Sequence, residues 1–211
     1  PTEIGDPVYK RFAKAIMSRS TNLSWFGYLS TTSVYGNHDG KWVDENIPVN
    51  PSSNRGLLRV KAENNWSNIK DLPLHIFRLA GIYGPNRSPL DKIKSGKAQL
   101  ISKPGQFFSR IHVEDIARVL KASIEMPNHG SVYNVCDDMP AAPDQVLDYA
   151  AKLINHPDLP KVAFEEAELS PMAKSFYSEN KRVKNERIKS ELKITLKYPN
   201  FETGLNALAG K

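Results

Sequence analysis

Apolar and polar positions along the chain alternate between helical and strand spacings. Asp6-Pro7 has the form of an N-cap followed by proline at the first helical position. Val8, Phe12 and Ile16 then recur at helical spacing, which predicts a helix from there to about Arg19. Trp25-Phe26-Gly27-Tyr28-Leu29 is a continuous apolar run of strand length, the pattern of a strand buried on both faces. A small-residue turn, Ser30 to Ser33, leads into a loop rich in Gly, Asn and Asp from Gly36 to Pro51. A second helix is predicted from Ser53 to Asn65. Pro73 then opens a second apolar run, Leu74 to Ala80, before the breakers Gly81, Gly84 and Pro85. Helix, strand, helix, strand is the beat of a parallel α/β sheet.

Beyond Pro85 the rhythm changes. Phe107 to Ile111 predicts a short strand, and Val113, Ile116, Ala117, Leu120 and Ile124 mark an amphipathic helix. Ser131 to Val135 is strand-like again, and Val146, Leu147, Ala150, Leu153 and Ile154 give another helix. A basic helix near 179–192 and a short one near 201–209 complete the pattern. There are no internal repeats.

Composition narrows the class. The 211 residues suit one domain with a small appendage, and 40% apolar with 25% charged residues excludes a disordered tail, a collagen-like fibre or a coiled coil. No apolar run approaches the ~20 residues of a membrane span, and no signal-peptide core precedes the first helix. The single cysteine, Cys136, rules out an internal disulfide or a multi-cysteine zinc site and is expected to be inert packing. A soluble, cytoplasmic protein is expected. The net charge is +6, from 29 Lys and Arg against 23 Asp and Glu. Its densest basic stretch, Lys181, Arg182, Lys184, Arg187, Lys189 and Lys193, is interrupted by acids and an apolar stripe. That favours a solvated helix face over a phosphate-binding surface. Without zinc-finger spacing or an RNP-like aromatic string, nucleic acid is not an expected partner.

Four strings carry more specific information. They are Tyr28-Leu29-Ser30-Thr31-Thr32-Ser33-Val34-Tyr35-Gly36; Trp42-Val43-Asp44-Glu45 with Pro48 and Pro51; Phe77-Arg78-Leu79-Ala80-Gly81-Ile82-Tyr83-Gly84-Pro85; and Arg110-Ile111-His112-Val113-Glu114-Asp115-Ile116-Ala117, followed by Tyr133-Asn134-Val135. In order and spacing they resemble the NAD-dependent epimerase/dehydratase family, the extended short-chain dehydrogenase/reductases, across essentially the whole chain. The nearest resemblance is to its atypical, nucleotide-sugar epimerase-like members. The resemblance implies an α/β fold: a Rossmann-like parallel sheet lacking its N-terminal βα units, with a small C-terminal α+β substrate domain. Residues 1–85 would be the C-terminal half of the NAD(P)-binding domain. Residues 86–211 would be a substrate-binding region whose segments at about 110–150 return to the sheet.

The resemblance also implies roles. Thr31 matches the catalytic Ser/Thr that hydrogen-bonds the reacting oxygen. A hydroxyl just past a buried strand sits where α/β folds bind ligands, although the same hydroxyl can simply satisfy a turn. Gly81 and Arg110 match substrate-side positions, Leu79, Ala80 and Ile82 the nicotinamide-side wall, and Arg55 and Arg59 are candidate substrate contacts by their chemistry. Arg110 could equally form a structural ion pair. His112 could be a general acid/base or, more plainly, a helix cap. No metal site is expected.

Two departures matter. The family's Tyr-x-x-x-Lys pair should follow Pro51, but Arg55 and Arg59 stand there. Arginine cannot be deprotonated in a protein, so neither is a general base. Lys61 lies nearly opposite them around a helix. The two arginines are expected either to grip a phosphate or carboxylate, or to pair with loop acids such as Asp44 and Glu45. Tyr28, Tyr35 and Tyr83 are the remaining conceivable proton donors. Second, no G-x-G-x-x-G or relaxed variant occurs. In family order the chain is expected to begin just before the helix preceding the fifth strand, leaving at least ~60–80 residues of the fold to be supplied. The functional expectation is an NAD(P)-dependent epimerase/dehydratase-like protein acting on a nucleotide-sugar-type molecule. A catalytically inactive ligand- or partner-binding member is the alternative. NAD(P) is expected for the full-length family and not for this chain alone. A homodimer or a separate N-terminal half is the expected protein partner.

Overall fold

The computed structural model describes residues 1–2, 5–96 and 98–211. Its helices are α1 (Pro7–Met17), α2 (Asn54–Ser67), α3 (Pro89–Lys94), α4 (Val113–Glu125), α5 (Pro143–Leu153), α6 (Pro171–Tyr177), α7 (Glu186–Glu191) and α8 (Phe201–Leu208). Its strands are β1 (Phe26–Thr31), β2 (Trp42–Val43), β3 (Leu74–Leu79), β4 (Gly81–Tyr83), β5 (Leu100–Ser102), β6 (Arg110–His112), β7 (Val132–Val135), β8 (Lys161–Ala163) and β9 (Arg182–Val183). A parallel sheet runs β1-β3-β7, with Thr31 level with Leu79 and Leu79 level with Val135. The strands therefore end together. Three short parallel pairs, β2–β9, β4–β6 and β5–β8, extend the structure beyond those ends.

Alternation along β3 builds the layers. Phe77 and Leu79 pack with Ile116 and Val119 of α4 and Ile188 of α7. Leu74 and Ile76 point the other way, to Trp66 of α2 and to Tyr9 and Ile16 of α1. Helices thus cover both faces, and every residue of β3 is buried. A second core joins α3, α5 and α8 through Leu90, Ile93, Leu147, Ala150, Phe201 and Leu205. Asp6 caps α1 by accepting from the Val8 and Tyr9 amides, and its other oxygen accepts from the Trp66 indole at 3.0 Å. One carboxylate thus ties the first helix to the second.

Three expectations are corrected. β1 is half-buried rather than buried on both faces, with Leu29 42% exposed. Among the described residues it pairs only with β3, which leaves the open edge expected of a sheet without its first units, and part of one face is uncovered as well. The strand expected over 107–111 is confined to Arg110–His112, where it pairs with β4. The basic helix expected over 179–192 is helical only from Glu186. Val183 is drawn into β9 by its pairing with Val43, and Lys181 is buried instead of solvated.

His75 is buried in β3 against Trp25 and Phe77, with ring centroids at 5.8 and 6.5 Å. Its Nε2 accepts from the Asn128 amide at 2.9 Å, so Nδ1 carries the proton and donates it to the Pro73 carbonyl at 3.0 Å. Both nitrogens are committed in the neutral form, and burial lowers the pKa below its ordinary 6.5. The unfolded chain takes up a proton below that value and the folded chain resists it, so stability falls as pH drops through and below 6.5. Thermal melts from about pH 7.5 to about pH 5.5 should show a falling Tm, and His75→Gln should flatten that slope. An unchanged slope would remove His75 as the cause.

Candidate functional site

The aligned strand ends open into a cavity of about 840 Å³. Thr31 enters from the end of β1, Leu79 to Tyr83 from the end of β3 through β4, and Arg55 and Arg59 from α2. Arg110 enters from β6, and α6 and α8 close the far side with Phe176, Tyr177, Phe201 and Leu205. Thr31, Arg55, Arg59, Leu79, Ala80, Gly81, Ile82 and Arg110 all line this one cavity, as does Tyr83, whereas the other conceivable proton-exchanging residues, Tyr28, Tyr35 and His112, do not.

Two glycines allow the close approach of these walls. Gly36 ends the short 3-10 turn Thr32–Tyr35 at φ 74°, and a Cβ there would meet the Asn50 carbonyl. At Gly56 a Cβ would lie 2.8 Å from the Ser33 carbonyl, so only glycine lets the first turn of α2 pack on that turn. This contact sets Arg55 and Arg59 beside Thr31.

The individual environments differ from simple expectation. Thr31 Oγ1 accepts from the Ser33 amide at 3.2 Å and lies 3.4 Å from the Ser33 hydroxyl, so it caps the turn that follows it. Arg59 donates through Nη1 to the Tyr28 hydroxyl at 3.2 Å and the Leu29 carbonyl at 2.9 Å. Arg55 lies over the Phe176 ring at 4.3 Å. Among the described residues neither arginine pairs with Asp44 or Glu45. Glu45 is committed elsewhere, accepting from the Asn134 amide at 2.7 Å. Arg110 donates to the carbonyls of Phe108 and Ala141 at 2.8 and 3.0 Å. Desolvation pulls its guanidinium down to about 10, and the charge of Asp137 opposes the fall. Burial pushes the Asp137 carboxyl up to about 7. His112 caps α4, its Nδ1 accepting from the Glu114 amide at 3.2 Å. Buried Cys136 has its thiol pushed well up and is packing. Burial also raises Tyr28, Tyr35 and Tyr83, which makes each a weaker proton donor. No cluster of His, Cys, Asp and Glu among the described residues could hold a metal ion. No helix among them is long and apolar enough to cross a membrane.

Sequence reasoning missed the polar scaffold under the cavity. Arg78, within β3, makes a two-pronged contact with Glu63 of α2, Nη2 to Oε2 at 2.8 Å and Nε to Oε1 at 3.3 Å. Arg78 Nη1 also donates to the Tyr35 hydroxyl, which donates to Asn134 Oδ1 at 2.8 Å. The Ser30 hydroxyl donates to Glu63. A charge inside an otherwise apolar strand run was the available signal, because a buried guanidinium demands a carboxylate. Glu63, four residues after Arg59 on one helix face, supplies it.

No family model matches the sequence. Protein YeeZ of Escherichia coli strain K12 is 33% identical over 122 residues, 58% of this chain. The chain spans only 42% of that relative's length. The solved structure of MoeE5 in complex with UDP-glucuronic acid and NAD superposes with TM-score 0.75 at 19% identity, over 95% of this chain and 68% of that one. Structural neighbours at this distance are NAD-dependent epimerase/dehydratase-type enzymes, and the fold is their Rossmann-like α/β arrangement. A functionally unknown conserved protein from Silicibacter pomeroyi DSS is 56% identical, with TM-score 0.95 over 100% of this chain and 74% of that one. The chain belongs to the family of that Silicibacter protein.

Breaking one side of a buried pair leaves an uncompensated charge, a loss of about 3–5 kcal/mol. Glu63→Ala and Arg78→Ala should each lower urea-unfolding stability by that amount, and the double variant should lose less than their sum. Additive losses would show that the two side chains act independently.

Proposed function

We propose that the protein to which this chain belongs is an NAD(P)-dependent epimerase/dehydratase-type enzyme, working in the cytoplasm on a nucleotide-sugar-like substrate. One observation carries the reading: residues from widely separated strings, Thr31, Arg55, Arg59, Leu79 to Ile82 and Arg110, line a single cavity at the strand ends. In open α/β sheets that is where ligands bind. The complex of MoeE5 with UDP-glucuronic acid and NAD supports the same choice of ligands. In this reading residues 1–85 belong to the cofactor domain and 86–211 to the substrate region.

The residues present fit one side of a nicotinamide dinucleotide. Leu79 and Ala80 are buried and apolar, and Ile82 continues their wall. A nicotinamide bound there would supply hydride exchange. Thr31 would offer its hydroxyl to the reacting oxygen. Arg55 would meet an anionic substrate group, as would the Nε and Nη2 of Arg59, which hold no partner among the described residues. A second reading, a non-catalytic ligand-binding member, is favoured by Arg59's bonds to Tyr28 and Leu29, which suit a structural arginine.

Two measurements test the proposal. Replacing Arg55 and Arg59 with Leu should weaken nucleotide-sugar binding by about 2–5 kcal/mol if the contact is desolvated. Unchanged affinity by calorimetry, with the fold intact, would return both arginines to a structural role. For the cofactor, the 211-residue sequence contains no Gly-rich phosphate turn. The apolar wall with one hydroxyl hydrogen bond of ~1 kcal/mol must meet an association cost of at least ~4 kcal/mol. NADH titration of this chain, followed by cofactor fluorescence, should give a Kd no tighter than about millimolar. A micromolar Kd would show that the wall alone is a working cofactor site.

A further inference from the structure

Two ionisable side chains on the cavity wall have no part in the description above. Glu179 and Lys181 lie on the extended segment between α6 and β9, and each is 8% exposed. Lys181 Nζ donates to Glu179 Oε2 at 2.7 Å and to the Gly36 carbonyl at 2.8 Å. The other Glu179 oxygen accepts from the hydroxyls of Ser52 and Ser53, each at 3.2 Å. Ser53 is the N-cap of α2, and Gly36 ends the turn that Thr31 begins. The pair therefore joins the two elements that carry Thr31, Arg55 and Arg59.

A salt bridge this buried adds little stability, because desolvating two charges offsets most of their attraction. It does hold an amine in place. Two of the three ammonium N–H bonds are used, and the third has no partner among the described residues in a cavity large enough for a small molecule. The arginines of α2 cannot release a proton, whereas a lysine can.

We propose that Lys181 is the proton-exchanging residue of this cavity, hydrogen-bonded to the reacting oxygen of an alcohol or ketone substrate and held by Glu179. The proposal rests on reading the cavity as a site of alcohol–carbonyl interconversion, for which a bound nicotinamide dinucleotide would supply hydride exchange. As a carbonyl oxygen gains charge, a Lys181 N–H bond breaks and the proton forms the alcohol O–H. The neutral amine then recovers a proton from water, and the reverse direction runs through the same atoms. Burial pulls the Lys181 pKa below the ordinary 10.5, with the Glu179 carboxylate opposing the fall. Elsewhere on the wall the charged side chains are Arg55, Arg59, Arg87, Asp91, Lys92 and Arg110. Of the charges around Lys181, that of Glu179 is the one that acts on it.

Pyridoxal 5′-phosphate provides a probe that needs no cofactor. Its aldehyde condenses with an amine with loss of water, and borohydride fixes the imine for peptide mapping. Across a pH series, Lys181 of the chain should label with a midpoint below those of exposed lysines. Glu179→Gln should move that midpoint lower still. A midpoint level with the exposed lysines, no labelling at any pH, or no response to Glu179→Gln would overturn the proposal. In the full-length protein, Lys181→Arg keeps the charge and cannot exchange its proton. It should cut kcat at least about 100-fold with KM little changed. A change confined to KM would make Lys181 a binding group only. Low-midpoint labelling in a protein that exchanges no hydride sinks the reaction class rather than the amine. Ordinary midpoints sink the amine whatever the turnover.

Discussion

The two-pronged ion pair between Arg78 and Glu63 determines where this molecule can keep an opening. Arg78 sits in a strand whose other side chains are packed between helices, so its charge has no route to water. It must be met from α2. Meeting it fixes the distance and rotation of that helix relative to the sheet, and therefore the positions of Arg55 and Arg59 two and one turns earlier. Tyr35 and Ser30 close the remaining hydrogen bonds, which pins the ends of β1 and the turn beyond it to the same two residues. A fully apolar replacement could stabilise the layer equally well. It would not dictate the same geometry at the strand ends.

That constraint explains which parts of the molecule were legible in the sequence. β3, α1, α2, α4 and α5 follow directly from apolar spacing and caps, since each buries one stripe or both faces of a continuous run. The short pairs β2–β9, β4–β6 and β5–β8 left no such mark. Strands of two or three residues held by distant parallel partners have too few positions for a period to show. The run Trp25–Leu29 read as doubly buried because composition reports apolarity and not how many neighbours a strand finds.

The site shows the same division. The strings around Thr31 and Gly81 were visible because strand ends are where turn chemistry and ligand contacts fall. Glu179 and Lys181 were hidden by a mistaken period. Read as a helix, residues two apart point in nearly opposite directions. In the extended segment that exists, they lie on one side and bond to each other. The pairing expected of Arg55 and Arg59 with Asp44 and Glu45 failed for a related reason. Glu45 is claimed by the Asn134 backbone amide, a contact across 89 residues that no local spacing announces.

In the proposed reading, the cavity wall separates binding charge from exchangeable charge. Arg55, Arg59 and Arg110 supply positive potential, with Arg110 braced by backbone carbonyls and by the field of Asp137. Such groups hold anions and keep their protons. The tyrosines that could have exchanged a proton are desolvated in ways that favour their neutral forms, Tyr35 locked between Arg78 and Asn134 and Tyr83 against the Asn200 carbonyl. Tyr83 also packs on Gly204, where a Cβ would collide with its ring. The proposal therefore assigns proton exchange at this wall to an amine brought in from outside α2. In the proposed reading, the proton exchange that the arginines of α2 cannot perform comes from the segment that folds back over the first turn of that helix.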